Sequence, residues 1–211
     1  MKPIRVLQWG LGSMGSVMAR LMLEKTGLNI VAVVDGRPDY VGKDLGDILG
    51  IGKEVGVIVT NKPEDVLKKE EVDIVILATT SWTKEQMPDL IKIISAGLNC
   101  ISIAEEMSDP EAQNPELGKQ VDDLAKRHGV SVLGTGVNPG FVLDLLVVTL
   151  TGGNHSVERI EASRVNDLSP YGPTVMKTQG VGTTPEEFRT GVADGSIVGT
   201  IFLVILGLML F

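Results

Sequence analysis

Apolar residues up to about residue 140 form short continuous runs, and amphipathic stretches with helical spacing separate these runs. The runs are rich in Val, Ile and Leu, while Pro115 and Gly129 mark the start and the end of one intervening helix. Strands that alternate with helices of about 10 to 15 residues predict βαβ units and a parallel sheet. The predicted strands cover residues 4–9, 29–34, 55–60, 73–78, 100–104 and 130–133, and the predicted helices cover 16–25, 44–49, 84–96 and 115–128, with a further helix beginning at 62–65.

The pattern changes after the sixth predicted strand. Residues 141–150 predict a strongly apolar helix, and residues 157–165 alternate like a strand with one solvated face. Residues 169–184 predict a long loop, and a short helix follows, with Thr184 as its N-cap and Pro185 at its first position.

Two domains follow from this change of pattern. Six strands complete a Rossmann sheet, so residues 1–150 are predicted to form a doubly wound α/β domain that binds a dinucleotide. Residues 151–211 are predicted to form part of an α+β domain for substrate binding or oligomerisation. The last 15 residues, 197–211, are almost wholly apolar, but a bilayer span needs about 20 such residues. We expect a truncated core segment or a frame-shifted end there, with a membrane anchor as the alternative.

Composition narrows the class of protein. Of 211 residues, 43% are hydrophobic and 4% aromatic, as expected of an aliphatic core around parallel strands. The net charge of −8 argues against binding to nucleic acid or an anionic membrane surface. Cys100 is the single cysteine, and His128 and His155 have no ligand-spaced partners, so neither disulfides nor a metal site are expected. The N-terminus has no signal-peptide pattern, and we expect a cytoplasmic protein.

Three glycines with G-x-G-x-x-G spacing follow the first predicted strand and begin the first helix. Gly10 permits a tight turn, Gly12 lets the backbone approach a pyrophosphate, and Gly15 lets the helix pack closely on the strand. Free N–H groups at the helix start, from Ser13 and Met14 onward, are expected to bind the phosphates, because the helix dipole favours anions there.

Asp35 ends the second apolar run, about 20 residues after the last of these glycines. A carboxylate at this position accepts both hydroxyls of the adenosine ribose, which favours NAD. Arg37 keeps NADP open, because it would hold a 2′-phosphate if Asp35 turned aside.

Polar residues also follow the later strands, and in open α/β sheets ligands bind beyond the carboxyl ends of strands. Thr79 and Thr80 are expected to bond the cofactor's ribose or phosphates, or else to form the N-cap turn of the next helix. Either Glu105 or Glu106 is expected to contact the nicotinamide ribose or a substrate ammonium group, unless both are ordinary surface carboxylates. Asn138 is expected to fix the substrate or the carboxamide.

Asp144 lies one turn into the apolar helix predicted at 141–150. A charge within so apolar a helix is expected to face a polar cleft. Asp144 is therefore a further candidate for the active site.

Four segments carry a resemblance to a known family. They are residues 6–15 (VLQWGLGSMG), 101–106 (ISIAEE), 134–141 (GTGVNPGF) and 167–172 (DLSPYG). In these segments the chain resembles the 2,4-diaminopentanoate dehydrogenases, within the dihydrodipicolinate reductase-like group. The resemblance runs from Met1 to about Gly199. Members of the family are about half as long again and are completed by a larger C-terminal domain, so the resemblance implies a C-terminally truncated chain.

The family implies oxidative deamination of 2,4-diaminopentanoate to 2-amino-4-oxopentanoate with NAD or NADP, in ornithine degradation. The partner is then a small diamino-acid substrate, and the full-length form is compatible with a homo-oligomer. Such a reaction needs a proton acceptor and donors that fix the carboxylate. The candidates are Glu105, Asp144, Tyr171 and Lys177. A desolvated Lys177 would act as base or hold the carboxylate, whereas a solvated loop lysine is the alternative.

Two alternatives share every feature argued from spacing. One is a dihydrodipicolinate reductase-like dehydrogenase or reductase that acts on another small amino or imino acid. The other is a non-catalytic nucleotide-binding protein, which would keep the glycines and Asp35 without a complete second domain.

Overall fold

One sheet of six parallel strands organises the first part of the chain, in the order β3–β2–β1–β4–β5–β6. The computed structural model describes residues 2–165, 167–169 and 172–197. The strands are β1 Ile4–Trp9, β2 Leu28–Val34, β3 Val59–Thr60, β4 Ile74–Leu77, β5 Asn99–Ser102 and β6 Val132–Gly134. The strand order reverses between β1 and β4, as in a doubly wound sheet. The predicted α/β Rossmann fold is confirmed.

Helices follow most of the strands, and several begin and end where the sequence places its signals. They are α1 Ser13–Glu24, α2 Leu45–Leu49, α3 Thr83–Ser95, α4 Pro110–Gln113, α5 Pro115–His128, α6 Leu146–Thr151, α7 Pro173–Thr178 and α8 Pro185–Asp194. Helix α5 ends at Gly129, which takes the left-handed conformation with φ 64°. Helix α8 begins with a complete capping box between Thr184 and Glu187.

The core is aliphatic and consists of two clusters of buried side chains. The larger one joins β1, β4 and β5 to α3, through residues such as Leu7, Leu77, Leu90 and Ile94. The smaller one packs β2 against α1 and α2. Burial of apolar area at about 25 cal/mol per Å² is the main force that stabilises such a sheet.

The third strand is shorter than predicted. Residues 55–60 are expected to pair as a strand, but only Val59 and Thr60 pair with β2, and Ile58 forms an isolated antiparallel bridge with Asp44. The N–H groups of Val55, Gly56 and Val57 instead donate to the carboxylate of Asp44, at 2.8, 2.8 and 3.1 Å. Asp44 also accepts from Gly46 N at 2.7 Å, as the N-cap of α2. This carboxylate takes the place of a strand neighbour, so the ladder ends early.

Two predicted helices also differ. The helix expected at 62–65 is a single 3-10 turn, Pro63–Asp65, because the Val66 and Leu67 N–H groups both bond back to Pro63 O. The helix expected at 141–150 is a π-helical segment, Phe141–Leu145, followed by α6.

The chain divides into two compact units, Met1–Gly136 and Val137–Phe211. The division lies closer to the N-terminus than the predicted boundary at residue 150, and Phe141–Leu145 contacts α6 within the second unit. The boundary at 150 stays a prediction.

The strand predicted at 157–165 is wrong for the described part of the chain. These residues are not assigned to any strand, and Val165 is 98% exposed. Alternating polarity indicates which side chains would face a core, but a strand also needs a partner to bond its backbone. The loop predicted at 169–184 contains α7, which begins at Pro173 in the first helical position.

Only the first residue of the apolar run at 197–211 lies within the described residues. Ile197 is 6% exposed, and its N–H donates to Gly191 O at 2.9 Å. Its side chain lies so close to Gly191 that a Cβ there would come within 2.6 Å of Ile197 Cδ1. Among the residues that the structure describes, no helix has both the length and the apolar character needed to cross a membrane.

The Asp44 carboxylate makes a pH-dependent contribution to stability. The Val55 N–H is the main cause that holds the pKa of Asp44 below its ordinary value; burial opposes it, and the Gly46, Gly56 and Val57 N–H groups add to it. A lowered pKa stabilises the fold above the pKa of the unfolded chain, and this contribution is lost as pH falls through the folded pKa. We expect Asp44→Asn to lower the urea midpoint at neutral pH, and the difference from wild type to shrink below the usual titration range of an aspartate.

Asp47→Asn is the matched control, since Asp47 is exposed in the first turn of α2. Its effect is expected to stay within about 0.5 kcal/mol at every pH. A constant difference between wild type and Asp44→Asn across the pH series would contradict this account of Asp44.

Candidate functional site

The turn after β1 requires glycine at its first position. Gly10 has φ 96°, and a Cβ there would lie 2.4 Å from Ala78 O. Its N–H donates to Val34 O at 2.8 Å. The turn is thus held between the ends of β2 and β4, at the point where the strand order reverses.

Gly15 lies where α1 meets this turn. A Cβ on Gly15 would lie 2.1 Å from Gly10 O, a distance that no side chain permits. The helix therefore approaches β1 as closely as the backbone allows, which is the third role that the glycine spacing assigns.

Gly12 differs from the other two glycines, because its backbone is unstrained and its Cβ position is open. It is the N-cap of α1 with φ −56°, and no heavy atom lies within 4 Å of a Cβ there. Gly12, Ser13 and Met14 are exposed, and their N–H groups have no acceptor among the described residues. Together with the positive end of the α1 dipole, they can bind a diphosphate.

Asp35, just past the end of β2, is 7% exposed and accepts several hydrogen bonds. Leu11 N and Arg37 Nη2 donate to Oδ2 at 2.7 and 2.9 Å, and Arg37 N and Nε donate to Oδ1 at 2.9 Å each. Burial by itself raises the pKa of Asp35, but the bonds from Arg37 and Leu11 outweigh burial and hold the pKa below its usual value. Asp35 is therefore a carboxylate at neutral pH.

Arg37 lies between this carboxylate and an aromatic ring. Its guanidinium carbon is 3.7 Å from the centroid of the Tyr40 ring, and its side chain is 40% exposed. The two cofactors considered from the sequence, NAD and NADP, thus depend on the same two residues. Arg37 occupies the Asp35 carboxylate that the ribose of NAD would need.

The residues after β4 and β5 bond to each other. Thr80 Oγ1 donates to Glu85, in the first turn of α3, and accepts weakly from Trp82 N at 3.4 Å. Glu106 accepts from Thr83 N, at the start of α3, at 2.8 Å. Glu106 thus caps α3, the Thr80 hydroxyl bonds a side chain of its first turn, and Thr79 is exposed.

Glu105 is the carboxylate that remains available. Asn114 Nδ2 donates to Glu106 at 3.3 Å, whereas the side chain of Glu105 has no hydrogen-bond partner among the described residues. The backbone bond from Glu106 N to Ser81 O, at 3.3 Å, joins the two loops.

Sequence reasoning missed a buried polar pair beneath these loops. Ser102 Oγ donates to Gln86 Oε1 at 2.6 Å and accepts from Ala104 N at 3.1 Å, while Gln86 Nε2 donates to Thr80 O at 3.5 Å. Both side chains are fully buried. The sequence signal for such a buried pair is a polar residue on the apolar face of a predicted helix or strand. Gln8 in β1 gives the same signal.

The candidate residues in the second unit each have different surroundings. Asp144 Oδ2 accepts from Gly140 N at 2.6 Å, so this carboxylate caps its own helical segment. Asn138 Oδ1 is buried without a partner among the described residues. Lys177 is exposed in the last turn of α7, and Tyr171 lies outside the described residues.

Other reactive groups do not form a site in the described part of the chain. No group of His, Cys, Asp and Glu side chains there is arranged to hold a metal ion. Cys100 is buried in β5, and burial raises the pKa of its thiol to about 12. A groove of about 510 Å³ lies along β6 and α5, but none of the candidate residues lines it, so we place the candidate site at the glycine turn on chemical grounds.

Two family models match the chain in separate regions. Residues 4–92 match the N-terminal domain of dihydrodipicolinate reductase, and residues 141–205 match the C-terminal domain of 2,4-diaminopentanoate dehydrogenase. The first match contains the glycine turn and Asp35, and the second contains Asp144, Tyr171 and Lys177.

Curated relatives agree with these matches. The chain is 46% identical over 201 residues to 2,4-diaminopentanoate dehydrogenase of Acetoanaerobium sticklandii, covering 94% of this chain and 56% of the relative. It is 26% identical to amine dehydrogenase of Streptomyces virginiae, covering 80% of this chain and 47% of that protein. The chain thus spans about half the length of these relatives.

Solved structures are similar in fold. The structure of amine dehydrogenase from Mycobacterium smegmatis has a TM-score of 0.80 and 30% identity, covering 97% of this chain and 60% of the other. GenD2 from gentamicin A biosynthesis, solved in complex with NAD, has a TM-score of 0.53 at 24% identity, which shows the fold alone; 72% of this chain and 39% of that chain are covered.

The Rossmann sheet, the glycine turn and the N-terminal match make the first part of the chain similar to the dihydrodipicolinate reductase-like group. Within this group the C-terminal match and the 46% identical relative show a similarity to the 2,4-diaminopentanoate dehydrogenases. The resemblance drawn from the sequence is confirmed.

Two glycine substitutions should separate binding from folding. Gly12→Val places a side chain in open space before the N–H donors, so we expect at least about tenfold weaker NADH binding with little loss of stability. Gly15→Ala forces α1 away from Gly10 O, so we expect a loss of about 1–3 kcal/mol in unfolding free energy. Fluorescence titration and urea unfolding measure the two effects. Unchanged NADH affinity in Gly12→Val would exclude the phosphate site at this turn.

Proposed function

We propose that this protein is an NAD(P)-dependent amino-acid dehydrogenase that deaminates 2,4-diaminopentanoate to 2-amino-4-oxopentanoate. Dinucleotide binding is supported by the set of free N–H groups at Gly12, Ser13 and Met14, which face open space beside Asp35. The substrate comes from the name of the 46% identical relative. The nicotinamide ring, when bound, accepts a hydride.

The reaction defines what the protein must supply. The substrate C–H carbon loses a hydride to the cofactor and its ammonium loses one proton, which leaves an iminium ion, R₂C=NH₂⁺. Water then adds to the iminium ion, and the nitrogen leaves as ammonium, so that R₂CH–NH₃⁺, NAD(P)⁺ and H₂O give R₂C=O, NH₄⁺, NAD(P)H and H⁺. A positioned base must remove the ammonium proton before the hydride moves.

Glu105 is our candidate for this base. It follows β5 at the carboxyl edge of the sheet, and its carboxylate makes no hydrogen bond within the described residues. Glu106 binds Thr83 N, and Asp144 binds Gly140 N, so both carboxylates already have structural partners. Tyr171, Lys177 and Asn138 stay candidates for holding the substrate carboxylate.

We propose NAD as the preferred cofactor, with NADP as the alternative. Asp35 is ionised and buried, and its charge repels a 2′-phosphate, whereas it accepts hydrogen bonds from ribose hydroxyls. For NAD, Arg37 must release at least one carboxylate oxygen. For NADP, Arg37 would remain on Asp35 and offer its other N–H groups to the phosphate.

A second candidate function is dehydrogenation or reduction of another small amine, amino acid or imino acid. The relative named amine dehydrogenase and the solved amine dehydrogenase favour it. A non-catalytic nucleotide-binding role is the third, because the dinucleotide features lie within the first unit alone.

Cofactor choice can be tested at Asp35 and Arg37. We expect Asp35→Ser to weaken NAD binding about tenfold and NADP binding less, because the change removes an acceptor and a repelling charge. Arg37→Ala should weaken NADP more than NAD, since it removes the partner of the 2′-phosphate. Titration of each variant with both reduced cofactors measures this, and equal changes for both would refute the assignment.

The proposed reaction is tested by steady-state NAD(P)H formation with 2,4-diaminopentanoate and a panel of other diamino acids, amino acids and amines. We expect 2,4-diaminopentanoate to give the highest kcat/KM. We also expect Glu105→Gln to lower kcat by about 10²–10⁴-fold, the typical contribution of a general base, with cofactor affinity retained.

Glu106→Gln is the matched control, because its amide oxygen still accepts from Thr83 N while the charge is lost. Near wild-type turnover is expected for this variant. Faster turnover of a different amine would favour the second candidate function, and a protein that binds NADH yet turns over no compound on the panel would favour the third.

A further inference from the structure

Gln8 is a fully buried polar residue within the apolar strand β1. Its Nε2 donates to Gly10 O at 2.8 Å, and its Oε1 is buried with no donor among the described residues. The amide must have this orientation, because the opposite one would set two oxygens against each other. An unpaired buried amide oxygen costs roughly 1–3 kcal/mol.

The carbonyl that Gln8 holds belongs to a peptide group fixed at both ends. The Gly10 carbonyl and the Leu11 N–H lie on opposite sides of one planar peptide. The Leu11 N–H donates to Asp35 Oδ2 at 2.7 Å. Gln8 and Asp35 therefore clamp the same rigid group from opposite directions.

This peptide fixes the start of the phosphate-binding turn. Gly10 O also lies against the first turn of α1, at the position that excludes a Cβ on Gly15. A rotation of the peptide would move its oxygen toward the helix and withdraw the Leu11 N–H from Asp35. The exposed N–H groups that follow, at Gly12 and Ser13, would move with it.

We propose that Gln8 is a positioning residue of the dinucleotide site, which orients the Gly10–Leu11 peptide so that the phosphate turn and the Asp35 carboxylate keep one fixed relation. The inference rests on the proposed dinucleotide binding. Gln8 is fully buried, so its effect on a bound dinucleotide is transmitted through this peptide.

A contribution to the stability of the fold does not by itself explain why a glutamine occupies position 8. Its hydrogen bond closes a loop of only two residues, so it joins no distant parts of the chain. An apolar side chain at this fully buried position would avoid the unpaired Oε1. The gain from a glutamine therefore lies in the geometry of the turn.

The test measures the affinity for ADP-ribose, which carries the pyrophosphate and the adenosine ribose without the nicotinamide. We expect Gln8→Leu to bind ADP-ribose about tenfold more weakly than wild type. The same change should cost less in an Asp35→Ser background, because both residues act on one peptide. Unchanged ADP-ribose affinity in a folded Gln8→Leu protein would overturn the proposal.

Gln8→Glu gives a readout that a purely structural role would not produce. Its ionised carboxylate cannot donate to Gly10 O, whereas the protonated form can. Burial raises the pKa of such a carboxyl group, so the ADP-ribose affinity of this variant should recover as pH falls, while that of wild type stays flat. Parallel pH profiles would count against the proposal.

Cys100→Ala is the control for lost core packing, since Cys100 is buried in β5, which lies two strands from β1 in the sheet. It should lower the thermal midpoint and leave ADP-ribose affinity unchanged. Failure of wild type to bind ADP-ribose would refute the proposed function itself, whereas binding by wild type with no effect at Gln8 would refute this inference alone.

Discussion

The carboxylate of Asp35 is the constraint on which the candidate site depends. A buried charge must be paired or hydrogen-bonded, because its desolvation is costly. Asp35 meets this need by accepting from the backbone of Leu11 and from Arg37. This one carboxylate therefore fixes the turn after β1, the end of β2 and the side chain of Arg37, which lies over the Tyr40 ring. Any ligand that donates hydrogen bonds to Asp35 must replace those from Arg37.

The fold follows from local pattern to a large extent. Continuous apolar runs, the Pro115 and Gly129 signals of α5 and the glycine spacing each specify structure within a few residues. The fold could be predicted because each signal acts at short range. The segment at 157–165 shows the limit, since its alternation contains no information on a partner strand.

The candidate site could be predicted only in part. The glycines and Asp35 are recognised by spacing, but the choice between Glu105 and Glu106 depends on where α3 begins. That helix start brings Thr83 N to Glu106, from a segment 23 residues away in sequence. The Gln86–Ser102 pair and the bond between Arg37 and Asp35 likewise depend on side-chain directions in three dimensions. Sequence spacing is silent on such contacts.

Hydrogen bonds cross-link the loops after β4 and β5. The buried Gln86 side chain bonds Ser102 Oγ and Thr80 O, and Glu106 accepts from Thr83 N. Groups held in this way lose little entropy when a ligand binds, because their positions are already fixed. The contacts therefore favour a preorganised edge at the place where we locate Glu105.

The buried thiol of Cys100 has a practical consequence for spectroscopy. Maleimides and other alkylating probes react with the thiolate, and a pKa of about 12 leaves almost none of it at neutral pH. Cys100 is also the chain's single cysteine. A cysteine introduced at an exposed position, such as Lys177 or Arg159, would thus accept a fluorophore or spin label selectively. Such a label reports on the second compact unit, Val137–Phe211, in solution while the native core stays unaltered.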